Sequence, residues 1–168
     1  MNSVNDQLRF AVGEGDSTKV KALLLNVECD PLAKDTSGGT VLMHAAYGGH
    51  NACLKLLLPV SDPLAKDDRG WTAFIWAAHG GHEQCLQLLL PVSDALVKDG
   101  RGSTALMCAV FRGHEACVQL LLPVSDTLAE NNNKETALMW AAYIAKTNQM
   151  KLKQSSESFQ RTSNYSSF

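Results

Sequence analysis

The chain has 168 residues, 45% of them hydrophobic, with a formal net charge of -2. That is about one domain with enough apolar surface for a continuous core, and it lacks the overall positive field that drives phosphate binding, so nucleic acid is not expected as a partner. There is no apolar run of about 18 residues for a membrane span. The segment Met1 to Arg9 is polar, unlike a secretory signal, and the five cysteines contain no close pair, so a cytoplasmic chain with reduced thiols is expected.

The chain repeats itself with a period of 32: Thr40, Thr72, Thr104 and Thr136 are related by this step, as are His50, His82 and His114, Cys53, Cys85 and Cys117, and Pro59, Pro91 and Pro123. Each copy divides into two short helices. The first follows a threonine able to act as an N-cap, as in Thr72 to Ala78, and stops at Gly80-Gly81. The second starts near His82 and carries Cys85, Leu86, Leu88, Leu89 and Leu90 close to an i, i+3, i+4 stripe, with Pro91 expected to end it. Asp67-Asp68-Arg69-Gly70 places Asp first and Gly last in a type I turn, which suits the tip of a hairpin between copies. Helices this short are below the roughly 12 to 15 residues needed for marginal stability alone, so neighbouring copies must stack. Alanine pairs at 45-46, 77-78 and 141-142 allow close approach of the first helices, and the leucine triplets fill the space between the second.

The pattern D-x-x-G-x-T-x-L-x-x-A-A-x-x-G-H-x-x-C-x-x-L-L, covering Asp35 to Glu130 in three copies, resembles the ankyrin repeat. The resemblance implies an all-α, ankyrin-type helix-turn-helix solenoid with hairpin loops and about four and a half repeats. Its boundaries are expected at 4-34 for a capping repeat, 35-66, 67-98 and 99-130 for full repeats, and 131-152 for a partial one. The capping repeat has Ala11-Val12, Gly15-Asp16 and Leu23-Leu24 at the family's A-A, G-H and L-L positions. The family's T-P-L-H lacks its Pro and His in every copy, the period is 32 rather than about 33, and Ala145-Lys146 stands where G-H belongs. Residues 153-168 form a Ser-rich tail with few apolar anchors, expected to be disordered.

The His-x-x-Cys step occurs three times, but equivalent positions of stacked helices lie about 8 to 10 Å apart, too far to converge on one ion or to form a disulfide. Histidine as a loop-fixing hydrogen bonder and cysteine as a small core residue is the favoured reading. Cys29 and Cys108 break the period and are expected to be the exposed thiols. Val-Ser-Asp also recurs, and repetition marks a structural turn, since a catalytic triad needs one nucleophile and one base from distinct positions. Gly13-Glu14-Gly15 lacks the strand and third glycine of a dinucleotide fingerprint. The chain is therefore expected to be no enzyme, with no catalytic residues, cofactor, metal or small-molecule substrate.

Ankyrin-like stacks bind partners through hairpin tips and the concave face of the first helices. Differences between copies fall at those places: Tyr47, His79, Phe111 and Tyr143 in one row, Gly48, Gly80, Arg112 and Ile144 beside it, and Gly39, Trp71, Ser103 and Glu135 ahead of the helices. Aromatic and arginine side chains dominate binding hot spots, which makes Tyr47, Arg69, Trp71, His79, Arg101, Phe111 and Arg112 the candidate contacts. Trp71 is balanced between contact and packing, while Trp76 and Trp140 are read as core. The expected function is a monomeric protein-protein interaction scaffold. The alternative is a regulatory or inhibitory module that masks an enzyme, including one delivered into a host cell.

Overall fold

The computed structural model describes residues 3-150. The serine-rich tail and the end of the domain expected at 152 lie outside the described residues. Eight helices form four pairs: α1 (Val4–Gly13) with α2 (Ser17–Leu23), α3 (Val41–Gly48) with α4 (Asn51–Leu57), α5 (Ala73–Gly80) with α6 (Glu83–Leu89), and α7 (Ala105–Arg112) with α8 (Glu115–Leu121). A further helix, α9, occupies residues 137-150. The first helices α1, α3, α5 and α7 stack in one layer and the second helices in another. This is the all-α helix-turn-helix solenoid expected.

Threonine fixes where α3, α5 and α7 start. The Thr40, Thr72 and Thr104 hydroxyls accept from the N–H groups of Met43, Ile75 and Met107, each at 3.4 Å. A glycine in the left-handed conformation ends each helix, at Gly49, Gly81 and Gly113. A histidine then begins the second helix without any side-chain capping bond. The α-helix ends at Leu89, ahead of Pro91 as expected, but the winding does not stop there. The backbone tightens into a 3-10 turn at Leu90–Val92 that contains the proline, and the same turn recurs at Leu58–Val60 and Leu122–Val124. Proline is tolerated there because the first turn of a helix needs no donor from it.

The core is one strip. Ala45, Ala46, Ala77 and Ala78 are buried between first helices, and Leu57, Leu89 and Leu121 between second helices, with Cys53, Cys85 and Cys117 beside them. Burial pushes the Cys85 thiol up to about 11. Its Sγ donates to Asn51 Oδ1 of the preceding repeat at 2.9 Å.

The hairpins carry their own scaffold. Asp35 Oδ1 accepts from the N–H groups of Ser37 and Gly39, Asp67 from Arg69 and Trp71, Asp99 from Arg101 and Ser103, and Asn131 from Asn133 and Glu135. Backbone bonds tie successive tips together: Asp68 N to Ser37 O at 3.0 Å, Gly100 N to Arg69 O at 2.8 Å and Asn132 N to Arg101 O at 2.9 Å. The Nζ atoms of Lys34, Lys66 and Lys98 each donate to a carbonyl 32 residues on, at 2.9, 3.5 and 2.8 Å. The tips therefore form a stitched row that holds side chains at fixed spacing.

The last repeat departs from the others. With Ala145-Lys146 in place of glycine and histidine, nothing interrupts α9, which runs through 150 where α3, α5 and α7 turn after eight residues. Its Ala141 and Ala142, expected at a close helix approach, are exposed, as are Leu138 and Met139.

Candidate functional site

Side chains that differ between copies gather along the groove between the hairpin tips and the first helices. Two adjoining cavities occupy it. One, about 640 Å³, is bounded by Tyr47, His79, Phe111 and Arg112, with His82 and His114 at its floor. The other, about 630 Å³, lies nearer the tips and is lined by Arg69, Trp71, Arg101 and Ser103, with Met107, Cys108 and Trp140 on its inner side. His79 and Phe111 border both. All seven residues singled out in the sequence thus line one or other cavity.

An aromatic cluster built from α3, α5 and the second tip forms the centre. Trp71 and Trp76 have ring centroids 4.5 Å apart, Trp71 and His79 4.9 Å, and Tyr47 and Trp76 5.1 Å. Across the groove, Phe111 meets Trp140 of α9 edge to face at 4.8 Å. Trp76, read as core, is half-buried and packed against the core, whereas Trp140, read the same way, is half-buried and borders the cavity nearer the tips. The Trp76 ring stands among Tyr47, Trp71 and His79, and its Nε1 donates to Asp67 Oδ2 at 3.1 Å. Trp71 is half-buried too, and Trp71 Nε1 donates to Asp99 Oδ2 at 2.9 Å.

Charge is arranged unevenly. Arg69, Arg101 and Arg112 are exposed, and among the described residues none of their guanidinium groups has an ion pair or hydrogen bond. Asp99, by contrast, is 9% exposed and occupied by two backbone donors and an indole. Burial, followed by the nearby charges of Arg112, His114 and Arg69, lowers the His79 pKa below its ordinary 6.5, so the ring is neutral at neutral pH. Its Nδ1 is buried without a partner.

The repeated histidines hold the floor. His50 Nε2 donates to Gly13 O and His114 Nε2 to His79 O, both at 3.0 Å, satisfying carbonyls at the ends of α1 and α5. Each ring also packs on the glycine ending a first helix of the preceding repeat: His50 on Gly15, His82 on Gly49 and His114 on Gly81. Among the described residues no three His, Cys, Asp or Glu side chains gather as a metal site requires. Cys108, expected to be exposed, is 8% exposed, and burial pushes its thiol up to about 12. It lies on α7 and borders the cavity nearer the tips, with the Asp99 carboxylate close by. Cys29 is half-buried.

Sequence reasoning missed Trp140 and Asp99, which line the cavity nearer the tips. A signal for Asp99 existed, since aspartate recurs at 35, 67 and 99 with asparagine at 131.

A family model for ankyrin repeats, in three copies, matches residues 8–99 and 92–151. With the helix-turn-helix stack and stitched hairpin tips already described, this match shows that the chain belongs to the ankyrin repeat family. Members of that family are in general protein-protein interaction modules. No significant match to a curated protein was found. No helix among the described residues is long and apolar enough to cross a membrane.

Proposed function

We propose that the chain is a non-catalytic binding scaffold that takes up a segment of a partner protein in the groove between hairpin tips and first helices. One observation carries the reading: alanines, cysteines and leucines that recur between copies build much of the core and recurring Lys and Asp side chains brace the hairpins, while aromatic and arginine side chains at positions that differ between copies line two adjoining cavities. A stack of this kind presents a rigid surface, so little side-chain order is lost on binding and the apolar area of Trp71 and Phe111 counts toward affinity. The neutral His79 and the raised thiol of Cys108 offer neither an activated base nor a thiolate nucleophile, which favours binding over catalysis.

Affinity capture with three chains tests this: the native one, one carrying Phe111→Ala and Arg112→Ala, and one carrying Gln87→Ala and Gln119→Ala on the second helices. A protein retained by the native chain and the second-helix variant but lost from the groove variant, with helicity equal in all three, is the expected result. Equal retention by the groove variant overturns the proposal.

A further inference from the structure

We infer that the segment this groove takes is acidic, with carboxylates on both sides of one large apolar side chain. The inference rests on the reading of the groove as the binding surface and adds the chemistry of what binds there. Three of the chain's five arginines, Arg69, Arg101 and Arg112, stand along the groove although the whole chain carries a net charge of -2. None has a carboxylate partner among the described residues, whereas Arg9, away from the groove, is paired with Asp6 at 2.9 Å. The groove carboxylates do not balance them: Asp99 is consumed by Arg101 N, Ser103 N and Trp71 Nε1, which leaves Asp68 against three guanidinium groups.

The order of chemistry across the groove sets the pattern of the ligand. Arg69 and Arg101 rise from the tips at one side, and Arg112 from the end of α7 at the other. Between them Trp71, His79 and Phe111 line the cavities with apolar ring surface. A side chain such as Leu or Phe seated there lies between two cationic borders, and carboxylates flanking it reach guanidinium forks that offer paired donors. Neutral His79 suits an apolar neighbour better than an imidazolium would.

A nucleic acid is the weaker fit. Three positive groups release few counterions. Beyond the groove the repeats carry exposed Asp62, Asp94 and Asp126, which repel a polyanion that extends past the cavities. A short acidic peptide ends before it meets them.

Selection from a displayed library of random 12-residue peptides, followed by titration of the enriched synthetic peptides, tests the inference. Peptides with Asp or Glu on both sides of an apolar residue are expected. Their affinity falls about tenfold or more in the exposed-site variant Arg69→Glu, Arg101→Glu, Arg112→Glu and falls again as salt is raised. Circular dichroism confirms that the variant keeps native helicity. Enriched peptides without acidic bias that still depend on Phe111 overturn the acidic ligand and leave the groove as the binding surface. Peptides that bind regardless of Phe111 and of the arginines, or the absence of any enriched peptide, overturn the inference. So does a 12-nucleotide single-stranded DNA that binds the native chain more tightly than the selected peptides.

Discussion

Trp71 and Asp99 are joined across two repeats: the indole Nε1 of the second hairpin tip donates to a carboxylate that also holds the backbone of the third tip. A residue at the edge of the groove is thereby part of the framework that shapes it. Trp71→Phe keeps an aromatic ring against Trp76 and His79 but leaves one Asp99 oxygen short of a donor. The expected cost is about 1 kcal/mol in chemical denaturation, the net value of one hydrogen bond. Trp71→Ala lowers stability further by removing the ring stack, so its effect on partner capture mixes folding with contact. Phe111 and Arg112, which are exposed and have no such bond, are the cleaner probes.

Glycines that end equivalent helices differ in what stands beside them. A Cβ added at Gly81, where φ is +79°, lies 2.6 Å from His114 Nδ1, whereas one at Gly113, with φ +74°, meets nothing within 4 Å. Both substitutions to alanine carry the left-handed strain, about 1 to 2 kcal/mol. Gly81→Ala must also displace the His114 ring and break its bond to His79 O. Urea midpoints are expected to fall clearly further for Gly81→Ala than for Gly113→Ala; equal shifts mean that the histidine moves aside freely.

Much of this was legible because the copies are nearly identical. The step of 32 locates the threonine caps, the glycine stops and the buried leucines, and the structure places each as a repeated solenoid requires. Trp140 was misjudged for a physical reason. Helical spacing says that a residue lies within a short apolar helix, but which side remains uncovered depends on where the second helix and the hairpin fold, and those are long-range choices. Cys108 was misjudged in the opposite direction, since breaking the period says nothing about burial. The loss of glycine and histidine at 145-146 was visible. That α9 would simply run on follows from having nothing there to stop it.

Asp35 gives a prediction for acid stability. Burial alone would raise its pKa, but the N–H groups of Ser37 and Gly39 and the His44 ring outweigh it and hold the carboxyl at about 2, below the usual 3.8. The folded chain therefore favours the carboxylate more than the unfolded chain does. That stabilisation is present above about pH 4 and disappears as pH falls toward 2. Asp35→Asn is expected to be less stable than the native chain at pH 6 and to lose less of its stability between pH 4 and 2. Parallel acid titrations of thermal midpoint check this, and equal slopes in that window contradict it.

Thiol labelling reports the burial of the cysteines. Burial raises the pKa of all five, Cys108 to about 12 and Cys85 to about 11, and Cys29 is half-buried where the other four are buried. Iodoacetamide at pH 8 is expected to modify Cys29 first, with Cys53, Cys85, Cys108 and Cys117 protected until the chain is unfolded in urea. Mass spectrometry of the digested protein gives the order. Early labelling of Cys108 means that the packing around α7 opens readily.

The claim that the groove is where a partner protein binds is tested most directly by photo-crosslinking. A benzophenone analogue of phenylalanine replaces Phe111 in one preparation and Gln87, on the exposed side of α6, in another, and each is irradiated in cell lysate. A discrete protein adduct from position 111, competed away by excess native chain and missing from position 87, is the predicted result. Adducts that form equally from both positions, or from position 87 alone, contradict it.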